Sequence, residues 1–481
     1  MNNKAVISLV TFLLMHAYIS VSAQAPKNPV IIIPGLSGSE LVDAAGKTVW
    51  FSVKRGKTDD VRLPISSPIL SRNRDGLKAT DVIRKVDLKL LPDVEVYQAL
   101  IDALKTKGYT EATWNAPRGE NVFYVFPYDW RRDNVETAHL LIRRMAAVRR
   151  SLKKTNLKFD ILAHSMGGLI VRYAAMYGSA DLPPAGTVPT PSWAGAAYIN
   201  KLMMFGTPNE GSFSAFDSLL NGSPVIADRK LPLIDDFRPE DVFSCPSVFE
   251  LLPHEASAKF LDENLQPVKI DLYDPQTWDK YGWGSLNDPK FLSKLKDSPA
   301  LALKNKDIKP KPLGKNANLD DRQTSQTTYA QARAYFAAAL GRAKRFAAAL
   351  DAPVKKAPIQ LYAFGGNCAS TLSGAVLTHD DKENKWTTIL DARDIKTKDG
   401  KDIKKDDVKA AIFVLGDGRV TQCSLLAANE KLVDGKREFV DARLAYTSSF
   451  FACGTHIKLF LEKPIQDSFL SALVVENTSQ P

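Results

Sequence analysis

The sequence predicts an α/β fold built on a mostly parallel central sheet, with a largely helical cap insertion. Three observations carry that expectation: short apolar runs suited to strands, helical patterns between them, and one long stretch where the strand-like runs stop. The runs are 30–33, 121–125, 159–162, 202–205, 359–364 and 410–415. Strands of a parallel sheet are covered by helices on both faces, so they read as continuous apolar segments. Helical patterns at 96–107, 135–152 and 166–177 fall between some of them, which argues for crossover connections and parallel order.

Between Gly211 and Lys355 the strand-like runs give way to Pro-punctuated stretches and an Ala-rich helix from about Thr328 to Leu350. Insertions on such sheets gather at the carboxyl ends of strands, where ligands bind. The first 23 residues have the pattern of an export signal. Lys4 supplies the positive start, Ala5 to Met15 the apolar run, and Val21-Ser22-Ala23 a small-residue cleavage site. The expected organisation is a signal segment at 1–23, a first core part at 24–210, a cap at 211–355 and a second core part at 356–481. The mature chain is expected in the periplasm or outside the cell.

A net charge of +10 raises the question of nucleic-acid binding. The Lys-rich tracts at 304–315 and 394–409 are broken by Pro or interleaved with Asp, so they read as solvated loops, and no nucleic-acid partner is expected. A basic surface does favour transient contact with an anionic lipid interface. The four cysteines permit two disulfides in an exported chain, with three possible pairings. Nearness in sequence to the candidate acid and base favours Cys423 with Cys453, leaving Cys245 with Cys368. There is no CxxC or HxxxH pair of the kind that holds zinc, and no metal or cofactor is expected.

The chemistry starts at Ser165. A short apolar strand runs into a helix with this serine at the bend, flanked by Ala163 two residues before and Gly167 two after. Small residues are needed there because neighbouring backbone crowds the turn that lifts the hydroxyl above the sheet edge. A serine hydroxyl is a poor nucleophile without a base, and the base needs a carboxylate to orient it. In α/β-hydrolases the order along the chain is serine, acid, histidine. Of the six histidines, only His379 and His456 follow the serine and the expected cap. Asp417, between two glycines after the apolar run at 410–415, falls before His456 but after His379, so Asp417 and His456 are the candidate acid and base. His164 adjoins the serine and should point away from its hydroxyl. For an oxyanion hole, Met166 follows the nucleophile, and Leu36 lies in the Gly-rich loop after the first strand; their backbone N–H groups are the candidate donors.

Six motifs stand in one order: Pro34-Gly35-Leu36-Ser37-Gly38-Ser39, Tyr128-Asp129-Trp130-Arg131, Ala163-His164-Ser165-Met166-Gly167, Gly206-Thr207-Pro208-Asn209-Glu210-Gly211-Ser212, Gly416-Asp417-Gly418 and the late His456. Together they resemble the lecithin:cholesterol acyltransferase-like family, which includes lysosomal phospholipase A2 and phospholipid:diacylglycerol acyltransferase. Pro246 to Pro253 and Tyr281 to Gly284 look like its bacterial branch. The resemblance spans roughly residues 28 to 460. It implies an α/β-hydrolase core with a cap, a serine acyl-enzyme and lipid acyl esters as substrates. By matching position it gives Ser165 as nucleophile, Asp417 as acid, His456 as base, and Leu36 and Met166 as oxyanion donors. Arg419 stands where eukaryotic members usually have Thr, and Asn209 where His is common. The expected activity is a lipid acyl hydrolase or O-acyltransferase. A general carboxylesterase or triacylglycerol lipase shares the same residues, and a catalytically silent binding protein would lack one of them. The Tyr128–Arg131 segment is expected to brace a loop through an Arg–Asp contact.

Overall fold

The computed structural model describes residues 27–52, 61–86, 94–224, 236–297, 326–354, 356–433 and 436–474. The expected signal segment and the tract at 304–315 lie outside them. Seven strands form the central sheet: β1 (Val30–Ile33), β2 (Thr110–Glu111), β3 (Val122–Val125), β4 (Phe159–His164), β5 (Ile199–Phe205), β6 (Gln360–Gly366) and β7 (Ser448–Ala452). Their order across the sheet is β2-β3-β1-β4-β5-β6-β7, and every neighbouring pair is parallel.

The alternation of side chains along each strand builds two cores at once. Ile31, Ile33, Ile161, Ala163, Leu202 and Met204 face one core with helices α2 (Asn134–Leu152) and α3 (Met166–Tyr177). Val30, Ile32, Leu162, Met203 and Phe205 face the other with α1 (Gln98–Thr106) and the C-terminal helix at Lys463–Val474. Both faces are dry, which is why these strands carry no polar alternation. Helix α3 is buried at every position, so it is apolar almost all round; its one charged residue, Arg172, is bonded to Asn209 and the Leu350 carbonyl. Asp133 caps α2 by accepting from the Val135 N–H at 2.7 Å.

Five of the six expected strands belong to this sheet; the sixth does not. Residues 405–412 form a helix, with Val408 and Ile412 one turn apart on its buried face and Asp406 and Asp407 in its first turn. The strand that follows, Phe413–Gly416, pairs antiparallel with Ala369–Leu372 in a separate two-stranded sheet. The sheet is completed instead by the two-residue β2 and by β7. Strand β7 pairs on one side only and its first residues are exposed serines, so it carries too little apolar signal to be read in sequence.

Between β5 and β6 the described residues are largely helical, ending in the 22-residue helix Tyr329–Leu350 with a Thr328–Gln331 capping box. A short strand, Lys259–Leu261, interrupts them and pairs with Gly374–Asp380, whose hairpin partner is Lys385–Ile389. The inserted layer is therefore built from two excursions, one before β6 and one between β6 and β7. Phe216, Phe260 and Trp283 pack together inside it, with centroids 4.8–5.7 Å apart.

The cysteine pairing differs from the expectation. Cys368 bonds Cys453, and neither Cys245 nor Cys423 takes part in a disulfide. The reason is topological: Cys368 and Cys453 follow the adjacent parallel strands β6 and β7, where Gly366 already pairs with Ala452.

Candidate active site

Strand β4 delivers Ser165 at its carboxyl end. The residue has φ 52° and ψ −126°, a left-handed conformation unusual outside glycine, and its N–H donates to the Phe205 carbonyl of the neighbouring strand at 2.8 Å. The sharp turn brings α3 against the end of β1. A Cβ on Gly167 would lie 2.7 Å from the Pro34 carbonyl oxygen and 2.9 Å from that of Ile33, so only glycine fits there. The small-residue requirement at 167 thus has a steric cause.

The structure brings Ser165, His456 and Asp417 together, although they lie 291 and 39 residues apart along the chain. Ser165 Oγ is 2.9 Å from His456 Nε2, and His456 Nδ1 is 2.8 Å from Asp417 Oδ2. The other carboxylate oxygen of Asp417 accepts from the Val420 and Arg419 N–H groups at 2.7 and 2.9 Å. Burial alone would raise this carboxyl, yet the facing His456 and those two N–H groups hold it below the ordinary carboxylate range. A carboxylate only accepts, so His456 carries its proton on Nδ1 and offers Nε2 to the serine. His379, the rejected alternative, sits apart, hydrogen-bonded to Asp381 and Asn384.

Met166 is the first residue of α3, so its N–H is one of the orphan donors of a helix start. Leu36 lies in the turn after β1, closed by Gly38 N–H donating to Gly35 O at 3.1 Å, and it lines the same pocket as Ser165 and His456. That pocket holds about 1300 Å³ of empty space, part of it open to solvent, and its wall is mostly apolar. Trp50, Phe51, Trp130, Phe237, Val248 and Leu251 contribute.

The Tyr128–Arg131 segment braces as expected and does more. Arg131, fully buried, forks between Asp129 and Asp75, while Tyr128 Oη donates to the Pro34 carbonyl at 2.8 Å. Trp130 and Trp50, neither among the site residues expected from sequence, line the pocket itself. Asn209 is structural: it accepts from Arg172 at 2.9 Å and donates to the Leu425 carbonyl at 2.6 Å. Sequence reading missed Tyr97 altogether, because no motif surrounds it. Its hydroxyl lies 2.9 Å from His164 Nδ1 and accepts from the Gly35 N–H at 2.9 Å. Both ring nitrogens of His164 are engaged away from the serine hydroxyl, Nδ1 with Tyr97 Oη and Nε2 with the His456 carbonyl. Among the described residues, no group of three or more His, Cys, Asp or Glu comes together to hold a metal, and no helix is long and apolar enough to cross a membrane.

The parallel sheet, the strained serine at a strand-to-helix turn and the histidine–aspartate row behind it define an α/β-hydrolase. A family profile for lecithin:cholesterol acyltransferase matches residues 50–427, and the chain belongs to that family. It is similar to lecithin-cholesterol acyltransferase-like 4 of Arabidopsis thaliana, 27% identical over 169 residues. That match covers 30% of this chain and 30% of the plant protein, well under half of either. Two solved structures align over most of the chain at low identity. The Tle4-Tli4 complex covers 93% of this chain and 98% of its own at 13% identity and TM-score 0.44. The Bacillus licheniformis lipase BlEst2 in propeptide form covers 95% and 52% at 10% identity and TM-score 0.34. The fold rests on the sheet order and the elbow, not on these two likenesses.

Proposed function

We propose that the chain is an exported serine acyl hydrolase or O-acyltransferase acting on phospholipids or related lipid acyl esters. The observation that carries this reading is the row Asp417–His456–Ser165 opening into a mostly apolar pocket. In it, Ser165 Oγ attacks the ester carbonyl while its proton passes to His456 Nε2. Asp417 stabilises the imidazolium, and the Leu36 and Met166 N–H groups receive the charge that develops on the carbonyl oxygen. Histidine then returns the proton to the leaving alcohol, leaving an acyl group on Ser165. Water or a second alcohol, deprotonated by the same histidine, completes the turnover.

The apolar lining favours an acyl chain over a small polar ester, since its burial releases roughly 25 cal/mol per Å². Two further features support the reading. The inserted layer supplies part of the wall, through Phe237, Val248 and Leu251, as a cap would. The Cys368–Cys453 disulfide suits an oxidising compartment and hence export. The basic chain also suits brief residence at an anionic lipid interface.

The test combines a fluorophosphonate probe with lipid product analysis. Wild type should be labelled at Ser165 and should release fatty acid from phospholipid vesicles, and Ser165→Ala should do neither. Adding a long-chain alcohol shows whether acyl ester forms in place of fatty acid. Equal activity on soluble esters and on vesicles would point to a general carboxylesterase. No labelling at all would point to a silent binding protein.

A further inference from the structure

Two buried side chains outside the proposed triad connect its parts. Tyr97 lies just before α1 and His164 at the end of β4, and both are almost fully buried beside the site. His164 Nε2 is 3.0 Å from the backbone carbonyl of His456, its Nδ1 is 2.9 Å from Tyr97 Oη, and that oxygen is 2.9 Å from the Gly35 nitrogen. The direction of each bond follows from chemistry. A carbonyl can only accept, so Nε2 of His164 carries hydrogen. Burial, with the neighbouring His456 adding to it, pushes the His164 pKa down to about 3, so the ring is neutral and Nδ1 is an acceptor. Tyr97 therefore donates to Nδ1, and its remaining lone pair receives the Gly35 N–H. One chain of three hydrogen bonds, each group used in its sole available sense, runs from the oxyanion loop to the base.

The loop end of that chain is held from both sides. Tyr128 Oη donates to the Pro34 carbonyl at 2.8 Å while Tyr97 accepts the Gly35 N–H, so both polar atoms of the planar Pro34–Gly35 peptide are fixed. The next peptide is fixed too, because Gly35 O accepts from Gly38 N–H; in a trans peptide this turns the Leu36 N–H the opposite way. Gly38 has to be glycine for Tyr97 to reach in, since a Cβ there would lie 2.8 Å from its hydroxyl. At the other end His164 packs on the His456 ring, with centroids 4.8 Å apart, besides holding its carbonyl.

We propose that Tyr97 and His164 are positioning residues that set the Leu36 oxyanion donor and the His456 base in register with each other. This rests on the serine-ester reading above. Their polar atoms bond the Gly35 N–H and the His456 carbonyl and not a reacting atom, so their effect should fall on the transition state more than on substrate binding. Losing one oxyanion donor costs about 10²-fold or more in turnover in other acyl-transfer enzymes; a displaced donor should cost somewhat less.

The test is Tyr97→Phe, which keeps the ring and its contact with Phe460 but removes both hydrogen bonds. Three quantities are measured: kcat and KM on a soluble nitrophenyl ester, and the inhibition constant of phenylboronic acid, whose tetrahedral serine adduct places an oxygen in the oxyanion hole. Expected is a fall in kcat of about 10-fold to 100-fold, a KM within about twofold, and boronate affinity weakened in step with kcat. His164→Leu should do the same, and the double variant should lose little more than the worse single one, because both break one chain. If His164→Leu does not fold, Tyr97→Phe decides alone. A labelled wild type whose Tyr97→Phe variant keeps kcat and boronate affinity within twofold overturns this proposal and leaves the serine reading standing. A wild type that no fluorophosphonate labels overturns both.

Discussion

Asp417 grips His456 at two points: its carboxylate faces Nδ1 at 2.8 Å, and its backbone carbonyl accepts the His456 backbone N–H at 2.8 Å. The backbone bond sets where the ring sits, and the side-chain bond sets which nitrogen carries the proton. A substitution can therefore remove the second function and keep the first.

Asp417→Asn is that substitution. The amide oxygen can go on accepting from the Val420 and Arg419 N–H groups, which turns the NH2 toward His456 Nδ1. Nδ1 must then accept, the ring proton moves to Nε2, and Nε2 can no longer take the proton of Ser165. The expected outcome is a kcat lower by about 10³-fold to 10⁴-fold with a melting temperature near wild type, checked by steady-state kinetics and calorimetry. The pH response follows as well. The folded carboxyl titrates below its ordinary value, so its ionised form stabilises the fold at neutral pH. That contribution is lost as pH falls through the folded value, below about 4, and the Asn variant should lack this acid-side loss.

The central strands were legible because burial on both faces leaves an unbroken apolar run, as in Val30–Ile33 with every residue buried. Ser165, Asp417 and His456 were legible because chain order and local turn chemistry constrain them. What stayed hidden depends on partners far along the chain. Strand β7 is half-exposed, and its identity comes from pairing with β6. Tyr97 gains its role from His164, 67 residues away, and no local pattern records that. The apolar run at 410–415 misled because the end of a helix and a short strand abut there.

The disulfide offers a separate test. Cys453 lies three residues before His456, and its bond to Cys368 closes a loop of 85 residues. Replacing either partner by serine should cost about 2 to 4 kcal/mol of stability. It should also lower kcat at temperatures well below the melt, because the segment carrying His456 loses its anchor. Wild type treated with reductant should match the variants. Cys423→Ser, outside this link, should leave stability within about 0.5 kcal/mol. Denaturation curves with and without reductant, paired with initial rates, measure both effects.

Asp160 sets a pH dependence of stability that has nothing to do with the site. It lies on β4, 3% exposed, accepting from Asn200 Nδ2 at 2.7 Å. Burial pushes its carboxyl up to about 6. The folded protein therefore binds a proton more tightly than the unfolded chain, and stability falls as pH rises from about 4 to about 6, then levels off. The loss across that window should be on the order of 2 kcal/mol. Asp160→Asn keeps the bond from Asn200 and should flatten this part of the profile, making the variant more stable than wild type at pH 8 and little changed at pH 4. Urea denaturation at several pH values reads this directly; a parallel slope in the two proteins would count against it.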